Sequence, residues 1–543
     1  MLDKQTFTGA LSEQIATTNN WDTVFALDFD AVNAGILAQG RFPDTFDHQQ
    51  SSGPDTARIF GTFTAWELVG GSGHILEMRL SIGQFTFQMT GEADKSHTDA
   101  WCTIQMDLHT DVGAEGSGIG GGTPVSFRTR KPADLLANAG DYGVVVTDFG
   151  WPGSESDPQL VSDCRILMAS YFSEASTQAA FDHTFATVNL NSRLESKSGD
   201  FSWIAPTDTS YGVIDNGAGG GGTFAVLCMI EGNAPPDHHM VSPAIIGDRR
   251  AGFLLNKPVF LKHMIKPGIA AMFGRDPDDM QFFDDNFIIE SDAINNKQEL
   301  VLNDFTVQQS ENNPDSVTAR IPKRSFSITL LDTRLVVNIN GLHHPYYKMI
   351  DYLYEAHHYY TIQTQAEFDP ATRQFGLAPY EAEDGEPIVS YRAALEKSGF
   401  GKAIDIALLV ADIAAVVGTL FKGIQVVRGV EAVADTTEGA RAILGSQRLG
   451  TVVNTLQGFL ARPVVGLAFS VAVGAGGIAV GLIKDKWEND REEDPENIKP
   501  DMQDFAQQVM APIVWPDGAG LSVEDVAFNG GFHITGTPNF EQE

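Results

Sequence analysis

The chain has 543 residues, 43% of them hydrophobic and 10% aromatic, which is ample apolar material for a large core and excludes a disordered protein. Its 36 basic residues against 71 acidic ones leave a formal net charge of -35, which repels nucleic acid and anionic lipid at neutral pH and argues against a nucleic-acid partner. Three cysteines, Cys102, Cys164 and Cys228, are odd in number and far apart, so neither a disulfide framework nor a clustered metal site is indicated. The length suits two or three packed domains. The opening residues lack the basic start, apolar core and cleavage site of a secretory signal, so the expected location is the cytoplasm of the producing cell, with release by another route.

In chain order, Trp21 to Phe29 reads as a strand and Asp30 as the cap of a following helix. Alternation follows: Leu76, Met78, Leu80 and Ile82 share one parity, Phe85, Phe87 and Met89 the other, and the change falls at Gly83, as a β-bulge would place it. Cys102, Ile104, Met106 and Leu108 alternate with polar residues, the pattern of an antiparallel sheet with one wet face. The glycine-rich stretch 113–122 contains a GxGxxG match at Gly116, Gly118 and Gly121, but the strand-like Thr-Pro-Val-Ser-Phe follows where a dinucleotide site needs a helix, so a loop is expected. A second such loop is expected at 217–222. Strands are predicted at 142–149, 164–172, 181–190 and 224–230, with a soft domain boundary near Pro243. In 326–339 alternation returns, with a turn or bulge at Asp332-Thr333. Tyr346 to Tyr360 reads as an aromatic-rich helix, and the end of the chain as a hairpin around Asn529-Gly530-Gly531.

Between these lies the most apolar block, 401–499. Ala403 to Phe421 carries only Asp405 and Asp412 as charges, and Pro463 to Ile483 carries none. Such runs suit either helices buried in a large protein or membrane spans, and Gly477 and Gly481 form a GxxxG that permits close helix approach. Asp405 and Asp412 lie two turns apart on one stripe. In lipid they would have to be neutral or face each other, which ties insertion to acid; in a soluble protein the stripe marks the wet face.

Candidate chemistry is sparse. His343-His344 and His357-His358 are adjacent pairs that point apart on a helix, so packing is expected rather than metal binding. Asp276, Asp278, Asp279, Asp284 and Asp285 lack the glycine and glutamate spacing of a calcium loop and read as a solvated turn. No hydrolase, zincin or paired-cysteine signature occurs, so no catalytic residue, metal or cofactor is expected.

Trp21-Asp22-Thr23-Val24-Phe25 followed by Val32-Asn33, and Pro512-Ile513-Val514-Trp515-Pro516 before a last hairpin, resemble the start and end of the forty-seven-kilodalton accessory proteins encoded beside some clostridial neurotoxins, and of their OrfX relatives. The resemblance implies an α+β, tubular lipid-binding (TULIP-like) architecture, with long curved antiparallel sheets wrapped around long helices. It implies a non-enzymatic protein of a bacterial toxin or virulence cluster that binds lipid or membrane surfaces and assists a toxin, insecticidal activity remaining open. The expected units are 1–243, 244–400 completed by 500–543, and the apolar helical block 401–499. Two alternatives stand beside this: a membrane-inserting or pore-forming subunit using 403–421 and 463–483, and an acidic interaction protein. Asp405, Asp412, Gly477 and Gly481 are the candidate membrane-contact and pH-sensing residues, and lipid or a toxin-cluster protein is the expected partner.

Overall fold

The computed structural model describes residues 14–40, 42–129, 144–174, 183–193, 202–216, 221–266, 280–310, 313–349, 352–380, 389–397, 502–515 and 520–538, with the short pieces 195–196, 199–200 and residue 269. The expected block 401–499, with Asp405, Asp412, Gly477 and Gly481, lies outside them.

The chain runs through β1 (Thr23–Asp28), α1 (Phe29–Gln39), β2 (Thr45–Ser52), β3 (Asp55–Gly73), β4 (Ile75–Met89) and β5 (Lys95–Asp107). Then come β6 (His109–Val112), β7 (Thr123–Arg128), β8 (Val145–Gly150), α2 (Pro158–Ser173), β9 (Thr184–Leu190), the pair β10 (Glu195–Ser196) and β11 (Gly199–Asp200), β12 (Pro206–Asp215), β13 (Gly222–Ile230) and β14 (Ala251–Leu255). Short helices α3 (Lys257–Phe260) and α4 (Met280–Asn286) lead to β15 (Phe287–Glu290), β16 (Ala293–Asn296), β17 (Leu300–Ser310), β18 (Asn313–Ile321), β19 (Phe326–Leu330), β20 (Leu335–Met349), β21 (Tyr352–Asp369), β22 (Gln374–Pro379) and β23 (Val389–Lys397). Helix α5 (Met502–Met510), β24 (Ile513–Val514), β25 (Leu521–Phe528) and β26 (Phe532–Pro538) complete the described chain.

Among the described residues an 11-stranded sheet has the order β25-β26-β14-β1-β13-β12-β3-β4-β5-β8, with β2 on β3. A 9-stranded sheet is built on β15-β16-β19-β20-β18-β17, with β21 on β20 and with β22 and β23 on β21, and a 4-stranded sheet has the order β24-β9-β7-β6. β14 and the β25–β26 hairpin thus share a sheet with β1. The two larger sheets meet through aromatic rings, with Phe375 5.6 Å from Phe532 and Phe260 stacked on Phe532 at 5.3 Å.

Side-chain alternation accounts for the large sheet. Thr62 pairs with Gln84 and Phe63 with Ile82, so Gly83 is the extra residue of a bulge. The parity change is thereby absorbed, and Leu76, Met78, Leu80, Ile82, Phe85 and Phe87 all face the core. Each such side chain contributes about 1.5–3 kcal/mol on burial, which fixes the register. Of the turn or bulge expected at Asp332-Thr333 the structure has the turn, between β19 and β20, and the hairpin expected around Asn529-Gly530-Gly531 is β25–β26.

Three expectations are corrected. The cap of α1 is Asp28, whose Oδ1 accepts from Ala31 N at 2.6 Å, and not Asp30. Residues 164–172 lie in α2, because Leu160, Cys164, Leu167, Met168, Tyr171 and Phe172 recur at helical spacing and Asp157 and Pro158 start the turn. Tyr346 to Tyr360 is not a helix but parts of β20 and β21, where Tyr347 opposes Tyr354; aromatic residues suit a pleated surface.

The family-like motifs at the two ends of the chain meet. Trp515 lies edge-on to Phe25 at 5.5 Å and to Phe224 at 6.0 Å, and is 2% exposed. Asn33 clamps α1 to β3, donating to Leu68 O at 3.1 Å and accepting from Leu68 N at 2.7 Å. Asp22 Oδ2 accepts from Ile230 N and Asn233 Nδ2, and its Oδ1 from Asn256 Nδ2. These motif residues are structural.

Candidate functional site

Helix α2 lies against the apolar face of β2, β3 and β8, and this interface collects the densest aromatic packing of the large sheet. Asp157 Oδ1 caps the helix by accepting from Leu160 N at 3.2 Å, while Lys95 approaches the other carboxylate oxygen at 3.5 Å. Tyr171 of α2 meets Phe46 and His48 of β2, at 6.1 and 6.5 Å between ring centres, and Phe172 meets Trp66 of β3. Phe42 stacks on Trp66 at 4.7 Å and on His183 at 4.9 Å. Trp66 stands edge-on to Phe172 at 6.3 Å, and Phe46 packs on Phe63 at 4.8 Å. Offset and edge-on geometries of this kind add roughly 0.5–1.5 kcal/mol per pair beyond burial.

Polar atoms at this interface are few and placed at its margin. Trp66 Nε1 donates to Pro43 O at 3.3 Å, and Tyr171 OH donates to Thr45 O at 3.4 Å. His48 is buried, with Nδ1 2.9 Å from the half-exposed Glu174 carboxylate. Its Nε2 has no hydrogen-bond partner among the described residues. At the other end of α2, His97 stacks on Trp151 at 4.4 Å, and desolvation holds its pKa below the ordinary imidazole value. Burial pushes the Cys164 thiol up to about 12 and the Cys102 thiol higher still, so neither is a nucleophile here. The arrangement is an apolar interface with a buried imidazole at its rim.

Other residues singled out in the sequence have different fates. Asp405, Asp412, Gly477 and Gly481 lie outside the described residues, as do Asp276, Asp278 and Asp279. Asp284 approaches Lys266 at 3.5 Å. β20 and β21 bring His343 opposite His357, with rings stacked at 5.3 Å, a juxtaposition invisible while the segment reads as a helix. Among the described residues no group of three His, Cys, Asp or Glu converges as a metal site. The 113–122 loop is pinned by its own amides: Gly118 N donates to Gly122 O, Gly121 N to Gly118 O, and Ile119 N to Asn189 Oδ1. Those three amides already have acceptors and so are not offered to a phosphate. No helix among the described residues is long and apolar enough to cross a membrane.

Sequence reasoning missed His48, Trp66, Phe172 and His183. The available signal was the helical spacing within 160–172, which would have turned one amphipathic face toward the alternating strands.

Comparison with known proteins follows the fold. The structure of P47 from Clostridium botulinum A2 matches with a TM-score of 0.56 at 14% identity, covering 97% of this chain and 100% of that one. P47 of Clostridium botulinum E1 matches with a TM-score of 0.54 at 12% identity, covering 96% and 99%. Protein OrfX3 of Paraclostridium bifermentans is 25% identical over 290 residues, 48% of this chain and 56% of that protein. OrfX3 of Clostridium botulinum (strain Kyoto / Type A2) is 25% identical over 285 residues, with the same shares. The chain spans about half the length of these curated relatives. The family model described as OrfX-like, Protein OrfX2/OrfX3/P47, matches residues 18–363, and the chain belongs to that family.

Proposed function

We propose that the protein is a non-enzymatic lipid-binding member of a bacterial toxin cluster, a TULIP-type protein that assists a toxin and holds an acyl chain at the interface between α2 and the aromatic face of β2 and β3. The observation that carries this reading is the stacked set Phe42, Trp66, Phe172 and His183, an apolar surface under an amphipathic helix whose polar contacts are confined to the rim. Apolar surfaces with a few polar groups at their margin suit apolar ligands, which α2 would have to admit by shifting from the sheet. Family membership supports a toxin-cluster setting and a protein partner there. The test is solvent extraction of the purified protein with mass spectrometry of the extract, together with flotation on neutral and anionic vesicles at neutral pH and at about pH 5, where imidazoles charge. Extractable acyl lipid, or flotation, supports the reading. An extract without lipid and flotation at neither pH would remove it.

A second reading, an acidic surface that binds a basic protein, is favoured by the net charge of -35. Steep weakening of such a complex with salt is its signature.

A further inference from the structure

β1, β13 and β14 are buried on both faces, which is unusual for antiparallel strands and requires a second cover. One face, with Phe25, Phe224 and Phe253, belongs to the main core. The other, with Val24, Ala26, Leu227, Met229 and Leu254, forms a separate cluster closed by Trp21 and by Val241, Ala244, Ile245 and Ile246 of the connection 231–250. This connection is a strap laid flat on the sheet. A Cβ on Gly252 would fall 1.8 Å from Ile245 O, and one on Gly212 would fall 2.6 Å from His239 O.

At its start the strap is fastened by Gly232 N, which donates to Thr207 Oγ1, and by Asn233 Nδ2, which donates to Asp22 Oδ2; along its middle it is fastened through histidines. His239 Nδ1 lies 2.8 Å from Ser210 Oγ of β12, and its ring is 5.6 Å from that of His74 at the β3–β4 turn and 6.4 Å from that of Trp21. Farther along, His533 Nε2 of β26 donates to Ile245 O at 2.7 Å, and His533 is 5% exposed. Neutral contacts add to these: Trp21 Nε1 to His238 O at 3.3 Å and Asn19 Nδ2 to Met240 O at 3.1 Å. Ion pairs stand at both ends of the connection: Glu231 with Lys262 at the start, and Arg249 with Glu524 and Arg250 with Asp28 at the finish.

We propose that residues 234–246 form an acid-released strap, which stays closed while His239 and His533 are neutral and uncovers the apolar outer face of β1, β13 and β14 when they take up protons. The charges around each group favour this. His239 faces His74 and His238, whose positive charges would oppose its own, with the neutral Ser210 and Tyr211 from β12 and Trp21 completing its surroundings. His533 faces Ile245 O and has Asp525 of β25 as its charged neighbour, and its burial outweighs that carboxylate. Both imidazoles are held below the ordinary value, chiefly by desolvation. The closed strap is therefore fully favoured above the free imidazole value and loses ground as pH falls through it toward the depressed value of the closed state. Per pH unit in that window, each histidine raises the open-to-closed ratio about tenfold, and the two together about a hundredfold. The inference is independent of the ligand site under α2.

Hydrogen exchange of the full chain, corrected for intrinsic rates, is read at about pH 7 and about pH 5.5, on either side of the free imidazole value. The amides of Ile245, Ile246 and Arg249, which donate to Ser242 O, Pro243 O and Ile246 O, should lose ten- to a hundredfold protection, while peptides of β4 keep theirs. His239→Gln combined with His533→Gln should abolish the difference. Unchanged protection in the strap, equal loss in β4, or a pH response that survives the double substitution would each overturn the proposal. Where the double variant does not fold, the onset in the unmodified protein decides, since a loss beginning only below about pH 4.5 would belong to carboxylates.

Discussion

Replacing Asp22 by Ala tests the most concentrated polar anchor in the large sheet. Asp22 is 5% exposed, and its carboxylate accepts from Ile230 N at 3.0 Å, Asn233 Nδ2 at 2.9 Å and Asn256 Nδ2 at 2.8 Å. Asn256 in turn caps α3 through Val259 N at 2.9 Å. A hydrogen bond to a charged acceptor contributes about 1.5–3 kcal/mol, and a buried donor left alone costs a similar amount. The Asn233 and Asn256 amides are only part-buried and can turn toward water, so the expected loss is about 3–5 kcal/mol rather than the full sum. Asp22→Asn keeps one carbonyl oxygen and should lose about half as much. Urea unfolding followed by circular dichroism measures both. A loss below about 1 kcal/mol for Asp22→Ala with unchanged denaturant slope would show that the network is not an anchor.

Other perturbations have equally definite outcomes. Gly530 sits at φ 71°, and a Cβ there would lie 1.8 Å from Ala16 O, so Gly530→Ala should cost at least about 2 kcal/mol and loosen the residues near Ala16 to proteolysis. Cys164 and Cys228 are buried with thiols pushed up to about 12, and Cys102 is raised further, so all three should resist alkylation at about pH 8 until the protein is unfolded. His263 stacks on Trp203 at 4.3 Å and is lowered to about 4, chiefly by desolvation against the opposing pull of Glu231. Its stabilisation is whole above the free imidazole value and is lost as pH falls toward 4, so His263→Gln should flatten stability across that window in pH-dependent unfolding. If 403–421 and 463–483 enter lipid, Asp405→Asn with Asp412→Asn should raise the pH at which vesicles float the protein; an unchanged profile would exclude those carboxylates as the acid sensor.

Long strands were legible because burial writes itself into them with period two. The β4 run shows how far this reaches: the parity change at Gly83 announced a bulge, and the Thr62–Gln84 and Phe63–Ile82 pairing contains it. The same reasoning failed at 164–172 because Cys164, Leu167, Met168, Tyr171 and Phe172 look strand-like by composition, while their spacing is helical. At 346–360 the error ran the other way. A stretch dense in Tyr fits many periods, and pairing with a distant strand, not local preference, decided between them.

The site under α2 was illegible for a different reason. Phe42, Trp66, Phe172 and His183 belong to four separate elements or loops, and nothing in the spacing of any one of them announces the others. The strap shows the same limit from the outer face. Val241 to Ile246 span the soft domain boundary expected near Pro243, yet they close a core, because β1 and β13 carry apolar residues at both parities and the second face must be covered by something. That double burial is visible in Val24-Phe25-Ala26-Leu27 and in Phe224-Ala225-Val226-Leu227, and in an antiparallel sheet it implies a covering segment close by in space. The nearest segment in sequence, 231–250, meets that demand with ion pairs at its two ends and histidines between them, so the cover on this face depends on proton concentration where most of the sheet does not.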